Sequence, residues 1–260
     1  MSPAGGSSEN PPPTWTLGDR RIRRLELRYY PEYRDEHVRF DEMISRYVRP
    51  GDAVLDAGAG RGLRYDYTFR SQAGRLAGVD LDEGVLQNPL LTDATVADLA
   101  HLPYSDDEFD LVISKYVFEH LTEPETVMRE LRRVLKPGGH VLIQTPNRWH
   151  YVALAARLTP TRFHVWFNER RDREAVDTFP TTYRANDRRT LARLARISRF
   201  RLVELDAIET KPDYLFFHPL AYRAGVAYER VVNRTERMSG LRVQFLIAMR
   251  AVEPPSTGRP

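Results

Sequence analysis

The sequence of 260 residues contains no cysteine. This absence excludes disulfide bonds, metal sites built on thiolates and catalysis by a cysteine nucleophile. It does not indicate a cellular compartment, because many proteins of every compartment lack cysteine.

Long apolar runs are also missing, and no stretch approaches the ~18 residues expected of a membrane-spanning helix. The N-terminus lacks the charged-then-apolar order of a signal peptide, so we expect a cytoplasmic protein.

The net charge is only +3, although arginine greatly outnumbers lysine. This weakly basic balance permits acidic or nucleic-acid partners but does not indicate them.

Three glycines, by contrast, stand close together in the stretch Val54-Leu55-Asp56-Ala57-Gly58-Ala59-Gly60-Arg61-Gly62. Its apolar first half predicts a buried strand. The glycines predict a tight turn that another group approaches closely. In doubly wound sheets, ligands bind beside such turns at the carboxyl ends of the strands. The functional interpretation is a nucleotide-type ligand over residues 58–62, and the structural alternative is a plain turn between a strand and a helix.

The spacing departs from the dinucleotide-binding fingerprint, because Leu63 stands where the third glycine is needed and Gly62 comes one position early. With Asp56 two residues before the first glycine, the stretch resembles the first motif of the class I S-adenosylmethionine-dependent methyltransferases. The resemblance is close over residues 35–145 and looser beyond them. It implies an α/β fold, a Rossmann-like doubly wound seven-stranded sheet in the order 3-2-1-4-5-7-6 with the last strand antiparallel.

Later segments extend the resemblance to further contacts with the cofactor. Asp80 follows the glycines by about twenty residues, where an acid can bind ribose hydroxyls. A helix N-cap is the structural alternative for Asp80, although Asp82 is the better capping candidate. The resemblance implies that Asp98 and Leu99 meet the adenine, and that the backbone of Ser114-Lys115 lies near the ammonium group. The predicted cofactor is S-adenosyl-L-methionine, and the predicted binding residues are Asp56, Gly58, Ala59, Gly60, Gly62, Asp80, Leu81, Asp98, Leu99, Ser114 and Lys115.

Hydrophobic periodicity and turn residues predict the elements around these motifs. We expect helices over 63–72, 125–135 and 188–197, a third strand over 95–98, and a left-handed glycine within 136–139 that ends the second of these helices. Residues 1–19 and 253–260 are predicted to be flexible tails. Residues 20–252 are predicted to form a single methyltransferase domain with helical cap insertions at about 148–185 and 211–240.

Two histidines are the candidate catalytic residues. Methyl transfer from a sulfonium is an in-line displacement that needs an aligned nucleophile, and an acceptor with a proton to lose also needs a general base. His120 and His37 lie in segments that could face the transferred methyl, and histidine titrates in a suitable range. A structural or surface histidine is the alternative for each. No metal site is predicted.

The two insertions carry many aromatic side chains interleaved with arginines. An apolar pocket with a few polar anchors is typical of small-molecule sites. We therefore predict a small organic acceptor with an apolar part, such as a natural-product or lipid-linked intermediate. Arginines at the rim are candidates for contact with an acidic group or with a membrane surface. The aromatic residues are Trp149, Tyr151, Phe163, Trp166, Phe167, Tyr214, Phe216, Phe217 and Tyr222.

Other functions remain as alternatives. The arginine-rich helix over 188–197 could follow phosphates of a nucleic acid. However, Ser114-Lys115-Tyr116-Val117 lacks the N-P-P-Y signature of adenine amino methyltransferases, and the absence of cysteine excludes the covalent route to C5-methylcytosine. No stable nucleic-acid partner is therefore expected. An RNA or protein methyltransferase and a non-catalytic S-adenosylmethionine-binding protein stay open. The sequence does not distinguish oxygen, nitrogen and carbon acceptors or indicate an oligomeric state.

Overall fold

A computed structural model describes residues 17–33, 36–62, 67–158 and 180–252 of the chain. The chain divides into two compact units. The smaller unit holds the described residues up to Tyr33 together with 211–231, and the larger unit holds the described residues between 36 and 210 together with 232–252. The first part of the predicted insertion over 211–240 thus belongs to the smaller unit. The single domain predicted for 20–252 stays a prediction.

A seven-stranded sheet forms the centre of the larger unit, in the order β3-β2-β1-β4-β5-β7-β6. The first five strands pair in parallel, whereas β7 runs antiparallel to both β5 and β6. This confirms the predicted order and the predicted antiparallel last strand. The strands are β1 Ala53–Ala57, β2 Arg75–Asp80, β3 Asp93–Val96, β4 Phe109–Lys115, β5 Leu135–Pro146, β6 Phe200–Ile208 and β7 Gln244–Ala251.

Six α-helices occur among the described residues. They are α1 Leu17–Tyr29, α2 Glu36–Tyr47, α3 Pro124–Val134, α4 Tyr151–Leu158, α5 Arg188–Ile197 and α6 Pro219–Val232. The helix predicted over 188–197 is confirmed at both ends. Asp187 caps its first turn by accepting from the backbone N–H of Thr190. In the part of the chain that the structure describes, no helix is both long and apolar enough to cross a membrane.

Both faces of the sheet are buried, because side chains that alternate along each strand enter different cores. Leu55 of β1 and Val112 of β4 belong to the core that also contains apolar side chains of α3 and α5. Val54 belongs to the opposite core, together with Phe40 and Ile44 of α2 and their neighbours. A sheet covered on both faces explains why its central strands are continuous apolar runs.

The helix predicted over 63–72 is wrong in the part that the structure describes. Residues 68–72 form turns, in which the backbone N–H groups of Arg70 and Gln72 donate to the carbonyls three residues earlier. Tyr67 and Phe69 are both fully buried, and Tyr67 adopts a left-handed backbone conformation with φ of 42°. Burying two aromatic rings that are two residues apart is incompatible with one helical face, so packing overrides the local pattern.

Two other boundaries differ from the prediction. The third strand lies over 93–96 instead of 95–98, because its pairing with β2 joins Asp80 to Val96 and ends there. The segment over 136–139 does not leave the sheet after α3, since β5 begins at Leu135 and this segment forms an irregularity in its pairing with β4. Gly138 is left-handed, with φ of 80°, but the prediction that it ends the helix is wrong, because α3 already stops at Val134 and its C-cap residue, Leu135, is extended.

The smaller unit packs α1 beside α6. Ile22 of α1 is buried against Tyr222 and Val226 of α6. Buried Glu26 accepts from Lys211, whose Nζ lies 2.6 Å from Oε1 of Glu26. Helix α1 begins at Leu17 and so includes the last three residues of the tail predicted over 1–19.

Candidate functional site

The loop after β1 is shaped by three glycines with positive φ, Gly58, Gly60 and Gly62. A Cβ added at Gly58 would overlap the side chain of Val117, and one added at Gly62 would overlap that of Asn88. These two glycines are therefore required by packing within the protein. At Gly60, no heavy atom of the described chain lies within 4 Å of the position of a Cβ. The loop thus opens onto free space at Gly60, where another molecule can approach the backbone.

This difference predicts different effects of alanine at the two positions. Gly58→Ala is expected to lower the free energy of unfolding by about 2–4 kcal/mol, because it combines a steric overlap with φ of 92°. Gly60→Ala is the matched control and should cost only about 1–2 kcal/mol, since it meets the left-handed strain alone. Urea denaturation of both variants tests this. Equal stability of the two variants would contradict the assignment of Gly58 to packing.

Asp80 joins the glycine loop to the end of β2. Its Oδ2 accepts from the backbone N–H of Gly60 at 2.9 Å, and its Oδ1 accepts from the N–H of Asp82 at 2.9 Å. A carboxylate offers about four acceptor positions, so two remain for a ligand. Asp82 caps the short 3-10 turn Glu83–Gln87 by accepting from Gly84, which confirms it as the capping residue. Asp80 does not cap this turn, and its contact with ribose stays a prediction.

The neighbouring predicted residues lie at the same edge of the sheet. Asp98 follows β3, is exposed, and accepts from the N–H of Ala100 at 2.9 Å. Leu99 is buried, whereas the side chain of Leu81 is 61% exposed directly after Asp80. Because β3, β2 and β1 are adjacent and parallel, their carboxyl ends bring these residues together with the glycine loop.

Asp56 is turned into the protein. Its buried carboxylate accepts from the hydroxyl of Tyr67. Burial raises the pKa of Asp56 to about 7, although the Tyr67 hydrogen bond and the charge of Lys115 favour the ionised form. The Ser114 hydroxyl is also engaged, because it donates to the carbonyl of Ala57 at 2.9 Å. In this structure both polar side chains connect β1 to its surroundings, and their predicted contacts with the cofactor stay predictions.

A polar network continues at the end of β4. Tyr116 has φ of 57°, an uncommon value for a residue other than glycine. Its hydroxyl donates to Oε1 of Gln244 at 2.8 Å and accepts from Nε2 of Gln144 at 3.2 Å. The side chain of Tyr116, at this strained turn, therefore joins the end of β4 to the carboxyl end of β5 and to the amino end of the antiparallel β7. Such strained positions are frequent at functional sites.

The structure brings both candidate histidines to this turn. His37 of α2 packs edge to face against the ring of Tyr116, with 6.1 Å between ring centres. His120 lies in the same connector, and its Nδ1 is 3.2 Å from the carbonyl oxygen of Pro180. Because a carbonyl can only accept, Nδ1 carries the proton in the neutral ring and Nε2 carries the lone pair. His120 is 26% exposed, so it combines a partly accessible position with a defined tautomer.

Glu119 is a residue of this site that the sequence analysis missed. Its carboxylate is buried, with Oε2 3.4 Å from the Thr145 hydroxyl and Oε1 3.9 Å from Nε2 of His120. Its carbonyl accepts from the N–H of Thr182 at 2.7 Å. Burial raises the pKa of Glu119 to about 7. Strongly perturbed acids cluster at functional sites, and the signal in the sequence was only its position beside His120.

The raised pKa predicts a pH dependence of stability. In the unfolded chain Glu119 ionises near its ordinary pKa of 4.5, and in the folded protein only near 7. The unfolded state therefore binds fewer protons between these values, so this group makes stability fall as pH rises from about 4.5 to about 7. Glu119→Gln should remove roughly 1–3 kcal/mol of that fall.

Urea denaturation of the wild type and Glu119→Gln at pH 5 and pH 8 measures this effect. Glu125→Gln is the matched control, because Glu125 is an exposed acid paired with Arg193 on the surface. If the free energy of unfolding falls equally between pH 5 and pH 8 in the wild type and in Glu119→Gln, then the pKa of Glu119 is not raised by folding.

His150 and Glu209 form a second buried pair that the sequence analysis missed. Nε2 of His150 lies 3.4 Å from Oε1 of Glu209, and their side chains are only 3% and 4% exposed. Nδ1 of His150 accepts from the N–H of Val152 at 3.4 Å, so Nε2 carries the proton that faces Glu209. The pair connects the start of α4 to the end of β6.

The aromatic residues of the insertions have different surroundings. Tyr222 is fully buried, and Phe216 packs edge to face against it within the core of the smaller unit. Trp149 is half-exposed, with the Arg148 guanidinium 5.2 Å from its ring centre. Phe163, Trp166 and Phe167 lie outside the described residues. Among the described residues, no three acidic or histidine side chains gather closely enough to hold a metal ion.

The edge formed by β1, β2 and β3 fits the predicted cofactor. Gly60 leaves space beside the backbone, where any side chain would occupy the volume of a ligand. Asp80 is held at a fixed position by two backbone N–H groups and keeps further acceptor positions. Together, an open glycine turn and an anchored acid at neighbouring strand ends match the needs of a nucleoside with a ribose and a polar tail.

Comparison with protein families supports the assignment of the edge of β1, β2 and β3 to S-adenosylmethionine. The family described as methyltransferase domain matches residues 55–143. This range begins within β1 and ends within β5, so it contains the glycine loop, Asp80, Asp98 and the end of β4.

Individual relatives agree with the family match. The ubiquinone/menaquinone biosynthesis C-methyltransferase of Cupriavidus pinatubonensis is 34% identical over 107 residues, which cover 37% of this chain and 44% of the relative. A protein of Mycolicibacterium smegmatis, named a probable S-adenosylmethionine-dependent methyltransferase, is 35% identical over 136 residues, which cover 50% of this chain and 51% of the relative. The chain thus spans about half the length of the curated relatives it matches.

A solved structure shows the shared fold. Geranyl diphosphate methyltransferase, solved in complex with GPP and sinefungin, superposes with a TM-score of 0.53 at 17% sequence identity. The superposition covers 82% of this chain and 77% of that chain. Strand order, glycine loop, family match and structural likeness agree: residues 55–143 match a methyltransferase domain, the sheet has the fold of the class I S-adenosylmethionine-dependent methyltransferases, and this family and fold imply S-adenosylmethionine as the cofactor.

Proposed function

We propose that the protein transfers a methyl group from S-adenosylmethionine to a small organic acceptor. The observation that carries this proposal is the open face at Gly60 beside the anchored carboxylate of Asp80. When bound, the cofactor supplies a methyl group on a sulfonium. The residues of the chain then have three tasks: to hold the cofactor, to orient the acceptor and to accept any proton that the acceptor loses.

Holding the cofactor is assigned to the ends of β1, β2 and β3. Asp80 is the ribose ligand in this proposal, because its position is defined by the N–H groups of Gly60 and Asp82. Asp98 and the backbone of Leu99 receive the adenine, and exposed Leu81 directly follows Asp80 at the same edge. Fixed positions matter because alignment of reactants can supply about 7–11 kcal/mol of the barrier.

Accepting a proton is assigned to His120. Its Nε2 carries the lone pair, because Nδ1 is directed at the carbonyl of Pro180. Buried Glu119 lies beside Nε2 and can stabilise the charged ring when the proton arrives. His37 lies against Tyr116 on the same turn and is the alternative base. An acceptor that loses no proton needs neither histidine, and its reaction would depend on alignment alone.

A small organic acceptor with an apolar part is supported by a relative and by chemistry. The C-methyltransferase relative of Cupriavidus pinatubonensis is named for ubiquinone and menaquinone biosynthesis. In this chain, half-exposed Trp149 with its stacked Arg148 follows β5 at the ligand edge of the sheet. Such a pair can bind an apolar ring and an acidic group together.

Isotope-labelled S-adenosylmethionine tests the proposal. The purified protein is incubated with labelled cofactor and either a small-metabolite extract or RNA, DNA and protein from the same cells. Label in the organic-soluble fraction supports a small acceptor. Label that appears only in macromolecules would overturn the acceptor class, and calorimetry that detects no binding of S-adenosylhomocysteine would overturn the methyltransferase activity itself.

A further inference from the structure

Helix α6 of the smaller unit has an apolar stripe on its outer face. Its inner face buries Tyr222 and Val226, while side chains spaced three and four residues apart lie on the opposite side. Phe217, just before the helix, is 65% exposed, and Leu220 is 66% exposed. The members of this stripe, all exposed, are Phe217, Leu220, Ala224, Ala227 and Val231. Large exposed apolar side chains that form a continuous stripe mark an interaction surface more often than scattered ones do.

The charges beside the stripe are positive. Arg223 and Arg230 are exposed and lie seven residues apart, so they share one flank of the stripe. The only acid of α6 is Glu229, which is directed inward and accepts from the Tyr30 hydroxyl at 3.4 Å. Helix α1 of the same unit adds exposed Arg20, Arg21, Arg24 and Arg28. The outer face of α6 is thus apolar with a basic flank, and α1 of the same unit is rich in exposed arginines.

These features favour a lipid surface over a second copy of the chain. Two copies joined through their stripes would place arginine flanks near each other without acids to pair with them. An anionic bilayer offers both complements, because its acyl boundary accepts Phe and Leu while its headgroups attract arginines. We propose that the stripe of α6 docks on anionic membrane surfaces through Phe217 and Leu220, with Arg223 and Arg230 at the level of the headgroups.

Docking of α6 on a membrane is separate from methyl transfer, because it requires neither the cofactor nor an acceptor. It would favour acceptors that are themselves apolar. Such molecules concentrate in membranes, so docking would place the protein where they are most abundant.

Co-sedimentation of the full chain with vesicles tests the inference. The wild type is expected to bind vesicles of phosphatidylcholine with phosphatidylglycerol, to bind phosphatidylcholine alone weakly, and to be released by added salt. Phe217→Ser combined with Leu220→Ser should weaken binding by about tenfold or more. Arg223→Glu should weaken it by about fivefold or more.

Ile197→Ser is the matched control, because Ile197 is an exposed apolar residue beside exposed Arg196 on another helix, α5. It should bind vesicles like the wild type. Failure of the wild type to bind anionic vesicles, or equal binding by the double serine variant, would overturn the inference. A dimer that light scattering detects in the wild type and not in the double variant would instead assign the stripe to a second copy. Binding of S-adenosylhomocysteine by the double variant should be unchanged, which separates this test from that of the proposed activity.

Discussion

Replacement of His120 by alanine is expected to lower the rate of methyl transfer about 10²–10⁴-fold when the acceptor is a hydroxyl or another group that loses a proton. The expected loss is large because the ring is held in one tautomer. Nδ1 is 3.2 Å from the Pro180 carbonyl, and Nε2 lies 3.9 Å from the buried carboxylate of Glu119. The measurement is the single-turnover rate of methyl transfer from saturating labelled S-adenosylmethionine to the extract fraction that accepts the label.

The affinity for S-adenosylhomocysteine should remain nearly unchanged in His120→Ala, because the glycine loop and Asp80 belong to other strands. His101→Ala is the control, since His101 lies exposed in the loop after β3. His37→Ala tests the second candidate, which lies on α2 and packs against Tyr116 of this turn. Full activity in both His120→Ala and His37→Ala would show that no histidine base is used and that these rings are structural.

Replacement of Asp80 by alanine is expected to weaken the binding of S-adenosylmethionine and S-adenosylhomocysteine by about 10–100-fold. A charge-assisted hydrogen bond to ribose contributes about 1.5–3 kcal/mol. The loop should also lose order, because the same carboxylate accepts from the N–H groups of Gly60 and Asp82. Isothermal titration calorimetry with S-adenosylhomocysteine measures the change.

Asp106→Ala is the control for Asp80→Ala, because Asp106 is an exposed acid in the loop before β4. Asp80→Asn should lie between the wild type and alanine, since an amide oxygen can keep one of the two backbone hydrogen bonds. An Asp80→Ala protein that binds S-adenosylhomocysteine as tightly as the wild type, or a wild type that prefers NAD, would contradict the ribose assignment.

The sheet and the cofactor edge were predictable because their signals are local or shared with a known family. Each central strand is a short apolar run ended by turn residues, as at Val54 and Leu55 of β1. Asp187 marks the start of α5, because its side chain caps the helix wherever the helix packs. The strand order came from the resemblance, and the observed pairings of β7 with β5 and β6 confirm it.

Other features depended on residues that are distant in the chain. The helix predicted over 63–72 has the right periodicity, yet Tyr67 is drawn inward by buried Asp56 and Phe69 by the core beside α2. The third strand ends at Val96 and not at Asp98, because its partner β2 ends at Asp80. Local propensity cannot predict either result, since both are decided by residues that are distant in the chain and adjacent in the fold.

The surroundings of His120, the candidate catalytic residue, could not be predicted from neighbouring residues either. The sequence places Glu119 next to His120 but does not indicate that the acid is buried, which is what raises its pKa to about 7. The segment that hydrogen-bonds to its backbone carbonyl, at Thr182, is more than sixty residues away. Pro180 belongs to the same segment and determines the tautomer of His120.

The sequence by itself determined the fold class, the glycine turn and the acids that follow the strands, because tight turns, buried runs and caps are encoded by neighbouring residues. Only the tertiary structure decided which of these groups face the ligand edge and which face the interior. Asp80 is anchored beside the open space at Gly60, whereas Asp56, equally acidic in the sequence, is buried against Tyr67. Burial and hydrogen-bond partners arise from long-range packing, and they set both the accessibility and the protonation of each acid.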